Sequence, residues 1–255
     1  MTTRTSDTGQ PGLPQARLLV VVAVEPEAEA VLRGLGDDAR PPSVPLPGGV
    51  LHRARRAGTG IDVLAAGVGP AAAAAGAATA LALHRYDLVV PAGIAGGFAP
   101  YAPVGSVVVA DAIVAADLGA ETPEGFADVT ALGFGTVRHT PPPAAVLATA
   151  GALRAAGLAV ATGAVLTVST VTGSAGRAAE LAARHPGAAA EAMEGFGVAE
   201  AAARHGLPAL EVRTVSNAVG PRDRSAWRIG EALAALAGAF AALPYPELLK
   251  EVPRG

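Results

Sequence analysis

Short apolar, β-branched runs alternate with alanine-rich segments along most of the chain, and this alternation limits the possible folds more than any other feature. The runs RLLVVVAV (17–24), IDVLAAG (61–67) and DLVVPAG (87–93) are almost wholly apolar, as expected of strands buried on both faces. The alanine-rich segments between them have the length and composition of helices. Strands that alternate with helices predict an α/β sandwich with a buried central sheet.

The same alternation continues to the end of the chain. Further strands are predicted at 105–117, 158–173, 188–192 and 209–217. Helices are predicted at 25–36, 69–86, 141–157, 174–185, 195–206 and 225–243, with Ser174 as an N-cap. A Pro/Gly-rich turn is expected at 41–49. We therefore predict a disordered leader (1–16), one domain (17–243) and a C-terminal tail (244–255).

Charge and composition exclude several classes of protein. The chain has 255 residues, a net charge of −3 and no basic patch, so nucleic acid is not an expected partner. No apolar run reaches the roughly 20 residues that a membrane helix needs. There is no cysteine, which excludes disulfides and thiolate chemistry and fits a cytoplasmic protein. The expected partner is a small molecule.

Ligands of open α/β sheets bind beyond the carboxyl ends of the strands, so the residues at those ends are the first candidates for a site. They are Glu25 and Glu27, Gly67 to Pro70, Gly93 to Gly97, Thr170 to Gly173, Met193 and Glu194, and Ser216 and Asn217.

GVGPAA (67–72) matches a loose dinucleotide-binding fingerprint, but its surroundings do not fit that function. The motif follows the second strand instead of the first, and Asp87, at the expected distance for the acidic partner, begins a strand instead of ending one. The interpretation as a tight turn is favoured. No histidine pair has a metal-ligand spacing, so neither a cofactor nor a metal is expected.

Acidic residues near two strand ends have both ordinary and functional interpretations. Glu25 and Glu27 are favoured at a helix N-terminus by the helix dipole, whatever else they do. Glu194 enters an apolar segment, where a carboxylate needs a partner or a ligand. Glu191 is expected at the surface, and Trp227 is expected in the core.

The order of these blocks, more than any one of them, carries a resemblance. AVEPEAE, GVG, VVPAGIAGGFAPYAPVGSVVVAD, TVSTVTG and AEAMEGFGVAEAAARHGLPALEVRTVSNAVG resemble the nucleoside phosphorylase and nucleosidase superfamily over residues 17 to 242. Bacterial methylthioadenosine/S-adenosylhomocysteine nucleosidases have nearly the same string. The resemblance implies a single-domain three-layer α/β sandwich with a mixed central sheet, assembled as a homodimer or homotetramer, which cleaves an N-glycosidic bond.

Two further stretches, ADLGAE (116–121) and EVRTVSNAVGPRDRSAWRIGEAL (211–233), resemble the futalosine hydrolase family. That resemblance implies a hydrolase of the alternative menaquinone pathway, which releases hypoxanthine from futalosine and leaves dehypoxanthine futalosine. It does not identify the residues that hold the benzoate end of the substrate. Arg222, Arg224 and Arg228 are candidates by charge, and a surface role is the ordinary alternative.

The resemblance also implies roles for individual residues. Glu27 corresponds to the glutamate that activates water, and Glu194 to the glutamate that accepts hydrogen bonds from both ribose hydroxyls. Met193 would pack on the sugar, Thr170 and Val171 would contact the base, and Ser216 would position Asn217. The catalytic residues implied are Glu27 and Asn217. The substrate-binding residues implied are Glu194, Met193, Ile94, Ala95, Gly96, Thr170, Val171 and Ser216.

Asn217 stands where adenine-specific nucleosidases carry aspartate, and this difference points to the base. Hypoxanthine presents acceptors at both O6 and N7, which an ionised carboxylate cannot bind because it only accepts. An amide donates to O6 and accepts from N7–H once the leaving base is protonated. Asn217 therefore indicates a 6-oxopurine.

Three alternatives stay open at this point. The phosphorylases of the superfamily that this chain resembles carry an arginine and a serine or threonine in the central loop, and Pro91 and Ile94 stand at those positions here. A methylthioadenosine/S-adenosylhomocysteine nucleosidase is disfavoured by Asn217. A nucleoside-binding protein without turnover would be expected to lack Glu27 or Glu194, and both are present.

Overall fold

The computed structural model describes residues 16–36, 42–47 and 49–250. The strands of this part of the chain are β1 (Arg17–Val22), β2 (Ser43–Leu46), β3 (Gly49–Arg56), β4 (Thr59–Ala65), β5 (Leu88–Gly97), β6 (Val107–Ala115), β7 (Gly119–Thr122), β8 (Gly125–Asp128), β9 (Arg138–His139), β10 (Val160–Thr167), β11 (Ala188–Ala192) and β12 (Val212–Ala218). The α-helices are α1 (Glu25–Leu35), α2 (Pro70–Leu83), α3 (Pro143–Ala155), α4 (Ala175–Arg184), α5 (Gly195–Arg204), α6 (Ile229–Ala242) and α7 (Tyr245–Leu248).

Ten of these strands form one mixed sheet, which confirms the predicted architecture. The order across it is β11-β10-β6-β12-β5-β1-β4-β3-β2, with β9 added to β6. The pairs around β1 are parallel, whereas β12 pairs with β6 in the antiparallel direction. Strands β7 and β8 form a separate hairpin.

Strand β5 joins the two halves of the sheet because its two ends have different partners. Its first residues pair with β1, and its later residues, from Ala92 to Gly97, pair in parallel with β12. Gly96 and Gly97 also pair in the antiparallel direction with β11. The end of β5 therefore runs between the ends of two other strands, and residues from three strands meet there.

Helices cover both faces of the sheet, which gives the three layers. On one face, α1, α3, α6 and α7 pack their buried side chains against the strands. On the other face, α2 and α5 do the same, and alanine dominates their contacts. The close approach of α1 to α6 requires a glycine, because a Cβ atom on Gly34 would lie 2.2 Å from the carbonyl oxygen of Ala237.

Most predicted elements are found within a few residues of their expected bounds, and the hydroxyl of Ser174 accepts a hydrogen bond from the Arg177 N–H at 3.2 Å, as expected of an N-cap. The predicted turn at 41–49 is wrong, since 43–46 form β2. This strand lies at the edge of the sheet, where Pro45 is tolerated because no neighbour needs its missing N–H. Among the described helices, none is long and apolar enough to cross a membrane.

The structure describes the predicted tail but almost none of the predicted leader. The predicted leader lies outside the described residues except for Ala16. The tail predicted from residue 244 is not separate from the domain, because Tyr245, Leu248 and Leu249 are buried in the core beneath α3 and α6. The hydroxyl of Tyr245 donates to the carbonyl oxygen of Phe240, so a polar atom in this core has its partner.

We expect Tyr245→Ala to lower the free energy of unfolding by about 3–5 kcal/mol, since it empties a buried aromatic site. Urea denaturation followed by circular dichroism measures this change. Tyr101→Ala is the matched control, because the Tyr101 side chain is 68% exposed, and its effect should stay within about 0.5 kcal/mol. Equal effects of the two substitutions would show that α7 does not stabilise the domain.

Candidate active site

Glu27 is buried at the start of α1, directly beyond β1, and its carboxylate is held by backbone donors. One oxygen accepts from the N–H groups of Ala23 (2.9 Å) and Val24 (3.2 Å). The other oxygen accepts from the N–H of Ile94 on β5, at 2.9 Å. The side chain therefore caps its own helix and is fixed against the central strand at the same time.

Glu25 occupies a different environment, although it lies only two residues earlier. Its carboxylate is exposed and lies 2.9 Å from the ring Nε2 of His52. Of the two acids in this segment, only Glu27 faces the interior. The structure thus separates the two glutamates that the local sequence left equivalent.

Glu194 lies at the junction of β11 and α5 and is also buried. One of its oxygens accepts from the N–H of Gly69, at 3.2 Å, and the other from the N–H of Met193, at 3.3 Å. Arg213 donates to that second oxygen from Nη1, also at 3.3 Å. The partner that a buried carboxylate requires is therefore a guanidinium from β12.

Arg213 is fully buried and is the central charge of the site. Its Nε donates to Glu211 at 2.7 Å, and its Nη1 also contacts the carbonyl oxygen of Ala92 at 3.4 Å. Its Nη2 has no hydrogen-bond partner among the described residues. The sequence analysis missed both Arg213 and Glu211. The available signal was the spacing Glu-x-Arg in a buried strand, which places both charges on one face.

Gly93 provides the space in which these charges meet. A Cβ atom on Gly93 would lie 2.5 Å from the Glu27 carboxylate oxygen and 3.0 Å from Nη1 of Arg213. Its φ of 144° also lies in the region that favours glycine. A side chain at this position would displace both groups, which explains why the first of the three glycines in the AGIAGG segment must be a glycine.

Burial raises the pKa of Glu27 above its ordinary value, because the surrounding protein disfavours the charged form. The Ile94 N–H, the charge of Arg213 and the N–H groups of Ala23 and Val24 oppose this rise. Glu27 is thus a carboxylate with increased proton affinity in a fixed orientation. Those are the properties of a general base.

A β-bulge at the end of β12 directs Asn217 toward the same region. Val215 pairs with Ala95 and Asn217 with Gly96, so Ser216 is the extra residue. The Ser216 hydroxyl donates to Asn217 Oδ1 at 2.8 Å, and Asn217 Nδ2 donates to the carbonyl oxygen of Ala218 at 3.0 Å. Since a carbonyl oxygen only accepts, this contact defines which side of the amide carries the N–H groups.

The predicted base-contacting residues, Thr170 and Val171, are exposed on the loop after β10, and both ends of this loop are held by carboxylates. Asp117 accepts from the N–H of Ser169 at 2.6 Å. Glu191 accepts from both the N–H (2.8 Å) and the hydroxyl of Thr172. The expectation that Glu191 is exposed is wrong: it lies on β11 with its side chain against this loop, and it is 5% exposed.

The remaining predicted residues lie along the junction of β5 and β11. Ile94 and Gly96 are half-buried and Ala95 is buried, while Met193 is half-buried beside Glu194. Gly96 pairs with Glu191 across the antiparallel contact, and Met193 directly follows the last residue of β11. The contacts of these residues with a substrate stay predictions.

Trp227 is not a core residue, contrary to expectation. Its ring is partly exposed, and the guanidinium groups of Arg222 and Arg224 lie 5.3 and 5.7 Å from its centre. The prediction failed because a cation–π arrangement at the surface satisfies an indole ring without full burial. In the described ranges, no cluster of three or more acidic or histidine side chains is arranged to hold a metal ion.

Comparisons with known proteins agree with this fold. A family model described as the phosphorylase superfamily matches residues 17–244. The futalosine hydrolase of Streptomyces coelicolor is 62% identical over 231 residues, which cover 89% of this chain and 94% of that protein. That of Acidothermus cellulolyticus is 50% identical over 225 residues, covering 88% and 89%.

A solved structure shares the fold at low sequence identity. It is a mutant of the Helicobacter pylori 5′-methylthioadenosine/S-adenosylhomocysteine nucleosidase with 5′-methylthioadenosine in its active site. The two structures align with a TM-score of 0.80 at 18% identity, over 92% of this chain and 100% of that one.

The α/β fold and the match over nearly the whole domain make this chain a member of the phosphorylase superfamily. Within that superfamily, the identity to the two bacterial relatives shows that it belongs to the futalosine hydrolase family.

The burial of Glu191 leads to a prediction about stability and pH. Burial raises the pKa of Glu191 despite the two hydrogen bonds from Thr172, so the folded state favours the protonated form. The stability that this group contributes is present below the ordinary glutamate pKa and is lost as the pH rises through the raised value. Glu191→Gln keeps a donor and an acceptor for Thr172 but has no proton to lose.

We therefore expect Glu191→Gln to match the parent near pH 4.5 and to become the more stable of the two as the pH rises to 8. Urea denaturation at several pH values measures the difference. Glu29→Gln, which changes an exposed carboxylate on α1, is the control and should give a nearly constant difference. A difference for Glu191→Gln that is independent of pH would contradict the assignment.

Proposed function

We propose that this protein hydrolyses the N-glycosidic bond of futalosine, in the alternative menaquinone pathway, and releases hypoxanthine and dehypoxanthine futalosine. The observation that carries this proposal is the convergence of two buried carboxylates, Glu27 and Glu194, on the guanidinium of Arg213. Membership of the futalosine hydrolase family supports the choice of substrate. Cytoplasmic location and assembly as a homodimer or homotetramer stay predictions.

Glu27 is the group that we assign to activation of water. Cleavage of the bond produces an oxocarbenium-like ribosyl cation, and the attacking water must lose a proton as it adds to C1′. Glu27 has a raised proton affinity and is fixed by three backbone N–H groups, which leave about one of its four lone-pair positions free to accept from the water. A positioned general base of this kind contributes roughly 10²–10⁴-fold to the rate.

Glu194 is the group that we assign to the ribose hydroxyls. Its carboxylate oxygens can accept more hydrogen bonds than the protein supplies, and the long contact with Arg213, at 3.3 Å, leaves room for stronger ones. Hydrogen bonds from the two hydroxyls would each contribute roughly 1.5–3 kcal/mol. The negative charge would also stabilise the cation as it forms.

Asn217 is the group that we assign to the leaving base. Ser216 and Ala218 orient its amide, and each half of the amide keeps one hydrogen-bonding position free. The N–H can donate to O6 of hypoxanthine, and the oxygen can accept from N7–H as the base leaves. This pattern disfavours adenine, and with it the methylthioadenosine/S-adenosylhomocysteine nucleosidase alternative.

Phosphorolysis is disfavoured by the charges of the site. Pro91 is buried within β5 and the N–H of Ile94 already binds Glu27, so the two positions at which phosphate binding was considered provide no anion donor. The buried guanidinium of Arg213 is paired with Glu194 and Glu211. Phosphate entering this region would meet carboxylates, which repel it.

Incubation of the purified protein with futalosine, inosine and methylthioadenosine, with and without phosphate, tests the proposal. We expect hypoxanthine from futalosine at a rate independent of phosphate, together with a sugar product that has a free anomeric hydroxyl. A sugar 1-phosphate would support a phosphorylase, and faster adenine release from methylthioadenosine would support the other nucleosidase. Binding of futalosine without turnover would indicate a nucleoside-binding protein.

We expect Glu27→Gln to lower kcat at least about 10²-fold, because the amide cannot accept the proton of the attacking water. Some loss of stability is also expected, since the amide NH₂ must face one of the backbone N–H groups that the carboxylate now binds. Steady-state kinetics, with circular dichroism to confirm folding, measures the effect. Glu25→Gln is the matched control and should keep the parent rate, and parental turnover by folded Glu27→Gln would remove Glu27 from the mechanism.

We expect Asn217→Asp to lower activity on futalosine by about one to two orders of magnitude, because the carboxylate would face O6 with no proton between them. The variant should also raise the ratio of adenine to hypoxanthine release, measured with futalosine and its 6-amino analogue. This pair keeps the 5′ substituent constant, so only the base differs. An unchanged ratio would show that Asn217 does not select the base.

A further inference from the structure

Glu211 is a buried carboxylate to which neither the sequence analysis nor the proposed mechanism assigns a role. It is fully buried immediately before β12, and one of its oxygens accepts from Nε of Arg213 at 2.7 Å. The other oxygen has no hydrogen-bond partner in the part of the chain that the structure describes. Burying a carboxylate with one unpaired oxygen costs free energy, so a contribution to stability alone does not explain why Glu211 is present.

The fold provides a specific space for this carboxylate. A Cβ atom on Gly195 would lie 2.3 to 2.5 Å from the carboxylate atoms of Glu211, so a side chain at the first position of α5 would displace them. Gly195 directly follows Glu194. The turn that brings Glu194 to Arg213 is therefore also the turn that leaves room for Glu211.

The charges around Arg213 are unbalanced toward the negative. Glu211 contacts the guanidinium from the position just before β12, and Glu194 contacts it from the start of α5. The Glu27 carboxylate and Nη1 of Arg213 both lie within 3.0 Å of the place that a Cβ atom on Gly93 would take. The structure shows no direct hydrogen bond between Arg213 and Glu27. The contact of Arg213 with Glu194, at 3.3 Å, is longer than its contact with Glu211, at 2.7 Å.

These distances indicate how the positive charge is shared. Without Glu211, more of the charge of Arg213 would act on Glu27, and an opposite charge nearby makes that carboxylate a weaker base. With Glu211 bound to Nε, that edge of the guanidinium is already neutralised. The remaining edge faces Glu194 at a distance that a substrate hydroxyl can compete with.

We propose that Glu211 is a positioning residue of the active site, which acts through Arg213. It fixes the guanidinium by its Nε and neutralises it, so that Glu27 keeps the proton affinity that a general base requires. This inference rests on the proposed hydrolytic function, because it assigns Glu211 a part in the activation of water.

The pKa values have directions that agree with this arrangement. Burial raises the pKa of Glu211, and the charge and hydrogen bond of Arg213 oppose that rise, while the charge of Glu194 adds to it. The pKa of Arg213 is raised by Glu211, Glu194 and Glu27, although burial opposes this. Arg213 therefore stays protonated and needs a neutralising partner.

The test is the pH dependence of hydrolysis by Glu211→Gln. The amide has nearly the same volume and its oxygen can still accept from Nε, but it carries no charge. We expect the acid limb of the kcat/KM profile to move to lower pH by roughly one unit, since Glu27 then feels more of the charge of Arg213. We also expect kcat on the plateau to fall by about threefold to tenfold, with KM changed by less than about twofold.

Two further variants separate this role from a structural one. Glu211→Asp keeps the charge but shortens the side chain, so the acid limb should stay in place while kcat falls. Thr214→Val is the matched control, because Thr214 is fully buried on β12 next to Arg213 and its hydroxyl has no partner among the described residues. Its kcat and pH profile should equal those of the parent.

The proposal is overturned if folded Glu211→Gln keeps the parental kcat and acid limb, even where its thermal midpoint falls. If Glu211→Gln does not fold, Glu211→Asp decides, and parental kcat in that variant overturns the proposal. These outcomes differ from failure of the proposed function, which would appear as a parent protein that does not hydrolyse futalosine. In that case the profiles are measured with the nucleoside that the parent does cleave.

Discussion

The ion-pair cluster around Arg213 is the interaction on which the rest of the site depends. One fully buried guanidinium contacts Glu211 and Glu194 directly, and its charge opposes the rise that burial causes in the pKa of Glu27. Removing one member of a buried pair leaves an uncompensated charge, which costs roughly 3–5 kcal/mol. The cluster joins α1, α5 and β12 around the end of β5, so the geometry of the groups that we assign to catalysis and the packing of the domain depend on the same contacts.

Two small structural features allow that cluster and the amide of Asn217 to coexist. Gly93 and Gly195 leave out the Cβ atoms that would collide with Glu27, Arg213 and Glu211. The bulge at Ser216 then shifts the register of β12 by one residue, so that Asn217 is offset from the alternation that buries Arg213. A single strand thereby supplies both the central buried cation and the amide that we assign to the purine.

The local patterns were informative where burial follows from neighbouring residues. Apolar runs predicted most strands of the sheet, and Ser174 was recognised as a helix cap from its position alone. Patterns failed where the outcome depends on a partner that the hydropathy pattern does not reveal. Glu191 resembled a surface residue because nothing near it in sequence indicates Thr172, and Trp227 resembled a core residue because its two arginine partners are not predictable from hydropathy.

By itself, the sequence determined the α/β class, the buried strands and the identity of the residues at the strand ends, because these depend on local hydrophobic periodicity and backbone preference. Only the tertiary structure decided that Glu27, not Glu25, faces the interior, and that Glu194 meets a guanidinium. The reason is the pairing of each carboxylate with a strand remote from it in the chain: Ile94 of β5 lies 67 positions from Glu27, and Arg213 of β12 lies 19 positions from Glu194. Long-range pairing of this kind leaves no periodic signal in either segment, so the charges that it brings together become visible only in the folded chain.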